Sequence, residues 1–184
     1  FQRQHKEVVV DCRDSELDDP LLMLENRQCD LGFIIRPHFL ALRENFCSIP
    51  FQTDPLLVAL QRHHPLAGRG RVSLREVVEY PVIRIDPREF ALSGDYSTQF
   101  ITRHGLDFTL FKEYPNLGSC CFNLELNHNA VLLMPRHRAY LLGKNSTLLE
   151  LDEQDCHFIL ELVWSKKNSH FPAKLFIREF QAFL

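Results

Sequence analysis

Apolar runs of strand length alternate with short amphipathic helices along almost the whole chain, and this alternation limits the fold more than any other feature. Val8-Val9-Val10-Asp11-Cys12 is continuous and β-branched, the pattern of a strand covered on both faces. Asp19 and Pro20 then read as an N-cap and a first helical residue, because proline lacks only an N–H that a helix start leaves unpaired. That helix is expected to stop near Arg27. Residues 30–35, 46–51 and 56–60 read as three further strands. Strand–helix–strand order predicts a mostly parallel sheet with right-handed crossovers.

A second unit begins around His63-His64-Pro65-Leu66-Ala67-Gly68. Ser73-Leu74-Arg75-Glu76 is a capping box that opens a short helix, and Pro81 closes it off before a strand over 81–86. A helix over 95–104 is expected, with Asp95 as N-cap and Gly105 just beyond its end. A strand near 110–113, a helix over 119–127 and a strand over 130–134 complete this unit. Asn129, just before that last strand, is of a residue type that adopts a left-handed turn more readily than most. Beyond Pro135 come strands at 148–151 and 158–165 and a closing helix whose Leu175, Phe176, Phe180 and Phe183 share one face, predicted to pack in the core. Phe1-Gln2-Arg3-Gln4 reads as the end of a helix. The first unit is therefore discontinuous, 1–60 plus 137–184, and encloses a second, 61–136. Two sheet-centred lobes joined by two crossings imply a cleft.

Composition excludes several function classes. With 21 Lys and Arg against 24 Asp and Glu, the formal net charge is −3, so this segment lacks the cationic surplus that holds DNA. The longest apolar runs, 56–60 and 130–134, are far short of the roughly 18 residues of a membrane span. Six cysteines form no C-x-x-C pair and read as buried reduced thiols. Vicinal Cys120–Cys121, with Cys156, leaves a thiol-based redox sensor open as an alternative. Nine histidines and six cysteines lack metal spacing in sequence, so neither a metal nor a cofactor is expected. The nucleotide-binding, hydrolase and metalloprotease motifs are missing, and the expectation is a protein that is not an enzyme.

The ordered motifs resemble the effector-binding domain of LysR-type transcriptional regulators. They are His5-Lys6-Glu7-Val8-Val9-Val10; Asp30-Leu31-Gly32-Phe33-Ile34; Leu56-Leu57-Val58-Ala59-Leu60 with His64-Pro65-Leu66-Ala67; Tyr80-Pro81-Val82-Ile83; Leu132-Leu133-Met134-Pro135; and Leu162-Val163-Trp164. The resemblance covers essentially the whole chain. It implies an α/β fold of two Rossmann-like lobes joined by two crossover segments, a periplasmic-binding-protein-like (type II) arrangement. It further implies a cytoplasmic sensor that binds a small effector, anions included, between the lobes. Self-association as a dimer or tetramer would use residues 8–12 and 20–27, and DNA would be met only by a winged helix-turn-helix outside this chain. A free-standing solute-binding protein of the same build is the other alternative.

In such sheets ligands bind beyond the carboxyl ends of strands, where helix N-termini also point. The residues in those positions are Arg13 and Ser15 after the first strand, and Arg36, Pro37 and His38 after the second. Asp86 and Ser93 follow a strand of the second unit, and Tyr114 and Asn116 precede a helix. Arg36 is the strongest single candidate, because its guanidinium can clamp a carboxylate bidentately. The competing reading is a structural ion pair.

Overall fold

The computed structural model describes residues 1–13, 20–88 and 96–184. In chain order the first elements are α1 (Pro20–Glu25), β1 (Gly32–Pro37), β2 (Phe46–Gln61), β3 (Arg71–Val72) and α2 (Leu74–Val77). They are followed by β4 (Val82–Ile85), α3 (Tyr96–Arg103), β5 (Leu110–Tyr114), α4 (Leu117–Leu124) and β6 (Val131–Pro135). A 3₁₀ turn over Arg136–Leu141, β7 (Ser146–Leu151), β8 (His157–Ser165) and α5 (Phe171–Phe183) complete the chain. These elements form two units, one of Phe1–Gln52 with Ile159–Leu184 and one of Thr53–Phe158. The chain leaves the first unit inside β2 and re-enters it inside β8. These passages lie earlier than residue 60 and later than residue 137, the positions read from the sequence, because both strands run through the boundary without a break in pattern.

In the first unit β8 lies between β1 and β2. Leu24, Phe46 and Val163 form its buried core, with Leu21, Cys29, Ile34 and Leu42 packed against them. Helix α1 ends in a Schellman motif: Gln28 N–H reaches Met23 O at 2.8 Å, Arg27 N–H reaches Leu24 O at 3.3 Å, and Arg27 sits at φ 57°. Helix α5 lays Phe176 and Phe180 against Phe33 and Phe51, with ring centroids 5.5–6.5 Å apart. Phe183, expected in the core, is 86% exposed. The helix ends there and offers that position no neighbouring layer. Phe1 starts a hydrogen-bonded turn closed by Gln4 and His5 N–H groups, and its ring stacks edge-on to Phe176 at 5.0 Å.

In the second unit the strand order is β5-β4-β6-β2, with β7 on the other side of β2 and β3 beyond β7. β4 pairs parallel with β5 and β6, and β3 with β7, whereas β2 is antiparallel to both β6 and β7. The sheet is thus mixed rather than mostly parallel. Strand β2 enters from the other unit and is not the product of a strand–helix–strand crossover, so the parallel rule does not govern it. Ala59, Ile83, Leu117, Cys120, Cys121, Leu124, Ala130, Leu132 and Met134 form the core. The capping box at α2 is complete: Ser73 Oγ accepts Glu76 N–H at 3.3 Å, and the Glu76 carboxylate accepts Ser73 N–H at 3.0 Å.

Two local expectations are corrected. Residues 8–12 form no strand, and Val9 is 86% exposed, because no ladder among the described residues pairs with them and a valine run alone cannot make one. The two strands expected over 46–51 and 56–60 are one, since Pro55 interrupts the pattern without ending the strand. Asn129 is not left-handed; among the described residues Arg27 is the non-glycine with positive φ, and Ala130 N–H closes the turn on Asn127 O at 3.4 Å. Asp19 and Asp95, expected as N-caps, lie outside the described residues.

Candidate functional site

Phe33-Ile34-Ile35 carries β1 to its carboxyl end, and Arg36 and Pro37 are its last residues. The Arg36 guanidinium is turned inward. Nε donates to Glu161 Oε1, one terminal nitrogen donates to Oε2 at 3.3 Å, and the other donates to the carbonyl of Leu40. Glu161 is fully buried on β8, so the pair is a bidentate internal ion pair. The fork that was to clamp a ligand is occupied by the protein itself. Pro37 is buried, and the ring of His38 meets Phe39 edge-on at 5.3 Å. Arg13 is exposed and bridges to Asp11 at 3.2 Å.

The second unit gathers its candidates more closely. Asp86 follows β4 and Tyr114 ends β5; Asp86 N–H donates to Tyr114 O at 2.8 Å, which joins the two strand ends. The Asp86 carboxylate accepts from Arg88 at the backbone (2.9 Å), at Nε (2.9 Å) and at a terminal nitrogen (2.5 Å). These bonds hold its pKa down to about 2, with the Arg88 side-chain bond the largest cause. Asn116 caps α4, its side-chain oxygen accepting Ser119 N–H at 2.8 Å. The N–H groups of Leu117 and Gly118 stay without intrahelical partners by the geometry of any helix start. Tyr114 packs its ring on the core and takes Lys112 Nζ over its face at 5.6 Å. Arg84 and Glu113 pair across β4 and β5 at 2.5 Å. An exposed charged rim, a phenol and a helix start therefore converge at one sheet end. Ser15 and Ser93 lie outside the described residues.

Two buried carboxylates escaped the sequence reading. Glu161 interrupts the apolar run of β8, and that interruption was its one signal. Asp54 on β2 is 2% exposed and accepts His137 Nδ1 at 2.8 Å and His137 N–H at 3.3 Å. His64, which opens the His-Pro-Leu-Ala stretch, is also internal: its Nδ1 accepts Leu66 N–H at 3.2 Å, and burial lowers its pKa. The thiols argue against redox sensing. Burial pushes Cys121 up to about 11 and Cys156 up to about 12, so neither is a ready thiolate. A shallow apolar depression of about 540 Å³ lies elsewhere, along Phe1, Phe176, Phe180 and Phe183. Among the described residues, no helix is long and apolar enough to cross a membrane.

A family model described as LysR substrate binding domain matches residues 1–184. The chain belongs to the LysR substrate-binding domain family. Solved LysR structures share its fold. HinK, a LysR family transcriptional regulator from Pseudomonas aeruginosa, superposes with a TM-score of 0.75 at 21% identity, over 97% of this chain and 61% of that one. The CcmR regulatory domain of Synechocystis PCC6803, solved in complex with 2-PG, gives 0.77 at 17% identity, over 100% and 86%. The PA01 protein of Pseudomonas aeruginosa gives 0.68 at 22%, over 90% and 57%. This LysR domain thus spans 57–61% of the two Pseudomonas chains. No curated protein matches it. The resemblance read from the ordered motifs holds, as does the α/β, periplasmic-binding-protein-like class.

Proposed function

We propose that this LysR domain is the effector-sensing part of a transcriptional regulator, and that a small anionic molecule binds at the carboxyl ends of β4 and β5. The observation that carries the reading is the meeting of Asp86, Arg88, Tyr114 and the start of α4 at one sheet end. Arg88 is 84% exposed, so its guanidinium can be shared between Asp86 and an incoming anion without burying a charge. The N–H groups of Leu117 and Gly118 and the dipole of α4 favour the same sign. A ligand shifts a regulator only through its differential affinity for two states, so the effector must meet these loops differently in each. DNA contact falls to a segment outside these 184 residues, in keeping with the net charge of −3. Copies of the domain pair through residues 8–12 and α1, where Val9 and Leu22 present apolar surface.

A thermal-shift screen against small carboxylates and phosphates tests the reading. A hit should raise the melting temperature of the parent chain and lose that effect in Arg88→Ala and Tyr114→Ala. Full stabilisation in both variants would remove this sheet end from the site. Sedimentation of the same samples at rising concentration should show pairing, and a strict monomer would end that part of the proposal.

A further inference from the structure

His104, Asp155 and Cys156 are far apart in sequence and meet in the second unit. His104 Nε2 stands 3.1 Å from Asp155 Oδ1 and 3.9 Å from Cys156 Sγ, and the three ligand atoms all lie within 4.8 Å of one another. We infer that they form a binding site for a divalent transition-metal ion of the zinc class. A tetrahedral ion with a metal–nitrogen bond of about 2.0 Å and a metal–sulfur bond of about 2.3 Å sets its ligand atoms roughly 3.3–3.5 Å apart. The imidazole–carboxylate and imidazole–thiol separations straddle that spacing, and rotation of the exposed Asp155 side chain closes the rest.

The backbone fixes the two inner ligands. His104 closes α3: its N–H reaches Phe100 O and Ile101 O, and Gly105 turns the chain away at φ 68°. Cys156 stands at the head of β8 with its N–H on Glu153 O at 3.2 Å and its carbonyl accepting Leu56 N–H at 2.9 Å. Phe100 of α3 packs edge-on against Phe158 of β8 at 5.3 Å, which holds the helix end over the strand start. A site built on such pinned elements needs little reorganisation to bind.

The electrostatics agree. After burial, the charges of Asp155 and Glu153 are what raise the Cys156 thiol, and the same negative surroundings draw a cation. On binding, the thiol releases its proton to solvent and a sulfur–metal bond replaces it. His104 enters as neutral imidazole with Nδ1 still protonated, and Asp155 as carboxylate. A dication with one thiolate and one carboxylate leaves the site neutral. Asp155 and His104 are partly open to solvent, which supplies the fourth position as water. Mixed sulfur, nitrogen and oxygen donors suit zinc or cobalt better than calcium or magnesium. The sequence hid the site because its donors lie on two elements some fifty residues apart.

Titration of the chain with Co²⁺ tests this, in a Cys12→Ser background because that thiol is exposed. The expected result is one Co²⁺ per chain, with a thiolate-to-cobalt absorption band and tetrahedral visible bands, all displaced by Zn²⁺. Affinity should fall by at least about 10–100-fold in His104→Ala, a margin already seen for the loss of outer-shell partners. The thiolate band should vanish in Cys156→Ser. Should burial make Cys156→Ser unfold, His104→Ala decides alone. Absence of the band in the parent chain, its survival in Cys156→Ser, or undiminished affinity in His104→Ala would overturn the inference.

Discussion

The carboxyl ends of β1 and β4 each carry an arginine paired with a carboxylate, yet the two pairs differ in kind. At β1, Arg36 reaches inward to Glu161, whose side chain is wholly buried, and both oxygens of the carboxylate are taken. At β4, Arg88 reaches along the surface to Asp86 and stays 84% exposed. The first pair is locked, because separating it would strand a charge away from water. The second can exchange partners at little cost, because water solvates either half. An arginine at a strand end is therefore a ligand candidate only when its carboxylate is not already inside.

The largest expected effect lies at the locked pair. Glu161→Ala should destabilise the chain by about 3–5 kcal/mol in urea unfolding, since it leaves the Arg36 charge uncompensated. A loss below about 1 kcal/mol would erase the distinction between the two strand ends. A smaller contrast lies between the helix ends. Helices α1 and α3 close with the same Schellman motif, but the left-handed position is Arg27 in one and Gly105 in the other. Gly105→Ala should cost about 1 kcal/mol although nothing crowds the added Cβ, and Arg27→Gly should gain up to about 1 kcal/mol. Equal signs for the two substitutions in thermal melts would refute this. The smallest effect belongs to Asp86. Its folded pKa lies below the ordinary value of 3.8, so its contribution to stability is full above that pH and drains as the pH falls toward about 2. In Arg88→Ala the carboxyl should titrate near 3.8 again, as followed by NMR; an unmoved midpoint would show that Arg88 is not what holds it down.

Most of the architecture was legible, and the reasons are local. Ser73-Leu74-Arg75-Glu76 and Gly105 carry their instructions within four residues, and both act as expected. The valine run at 8–12 misled because a strand is a property of two segments, and a continuous β-branched run says nothing about a partner. Arg36 was placed correctly at the end of β1, but its fate depended on Glu161, 125 residues away. Asp86, Tyr114 and Asn116 were legible as strand-end and cap positions, whereas Arg88, which controls the charge of Asp86, was not among the candidates. His104, Asp155 and Cys156 converge through the α3 and β8 packing, which no spacing rule encodes.

Strand β2 serves both units with one unbroken backbone from Phe46–Gln61. Successive side chains of a strand face opposite ways, so adding or deleting a single residue would invert every side chain downstream of it. Leu56, Val58 and Leu60 would then exchange faces with Leu57, Ala59 and Gln61. This stretch can thus absorb changes of residue type far more readily than changes of length. Insertions in this molecule belong where no ladder counts residues, as at Gly68-Arg69, where Gly68 has open space around it and the ladder begins only at Gly70, whose carbonyl accepts Glu150 N–H.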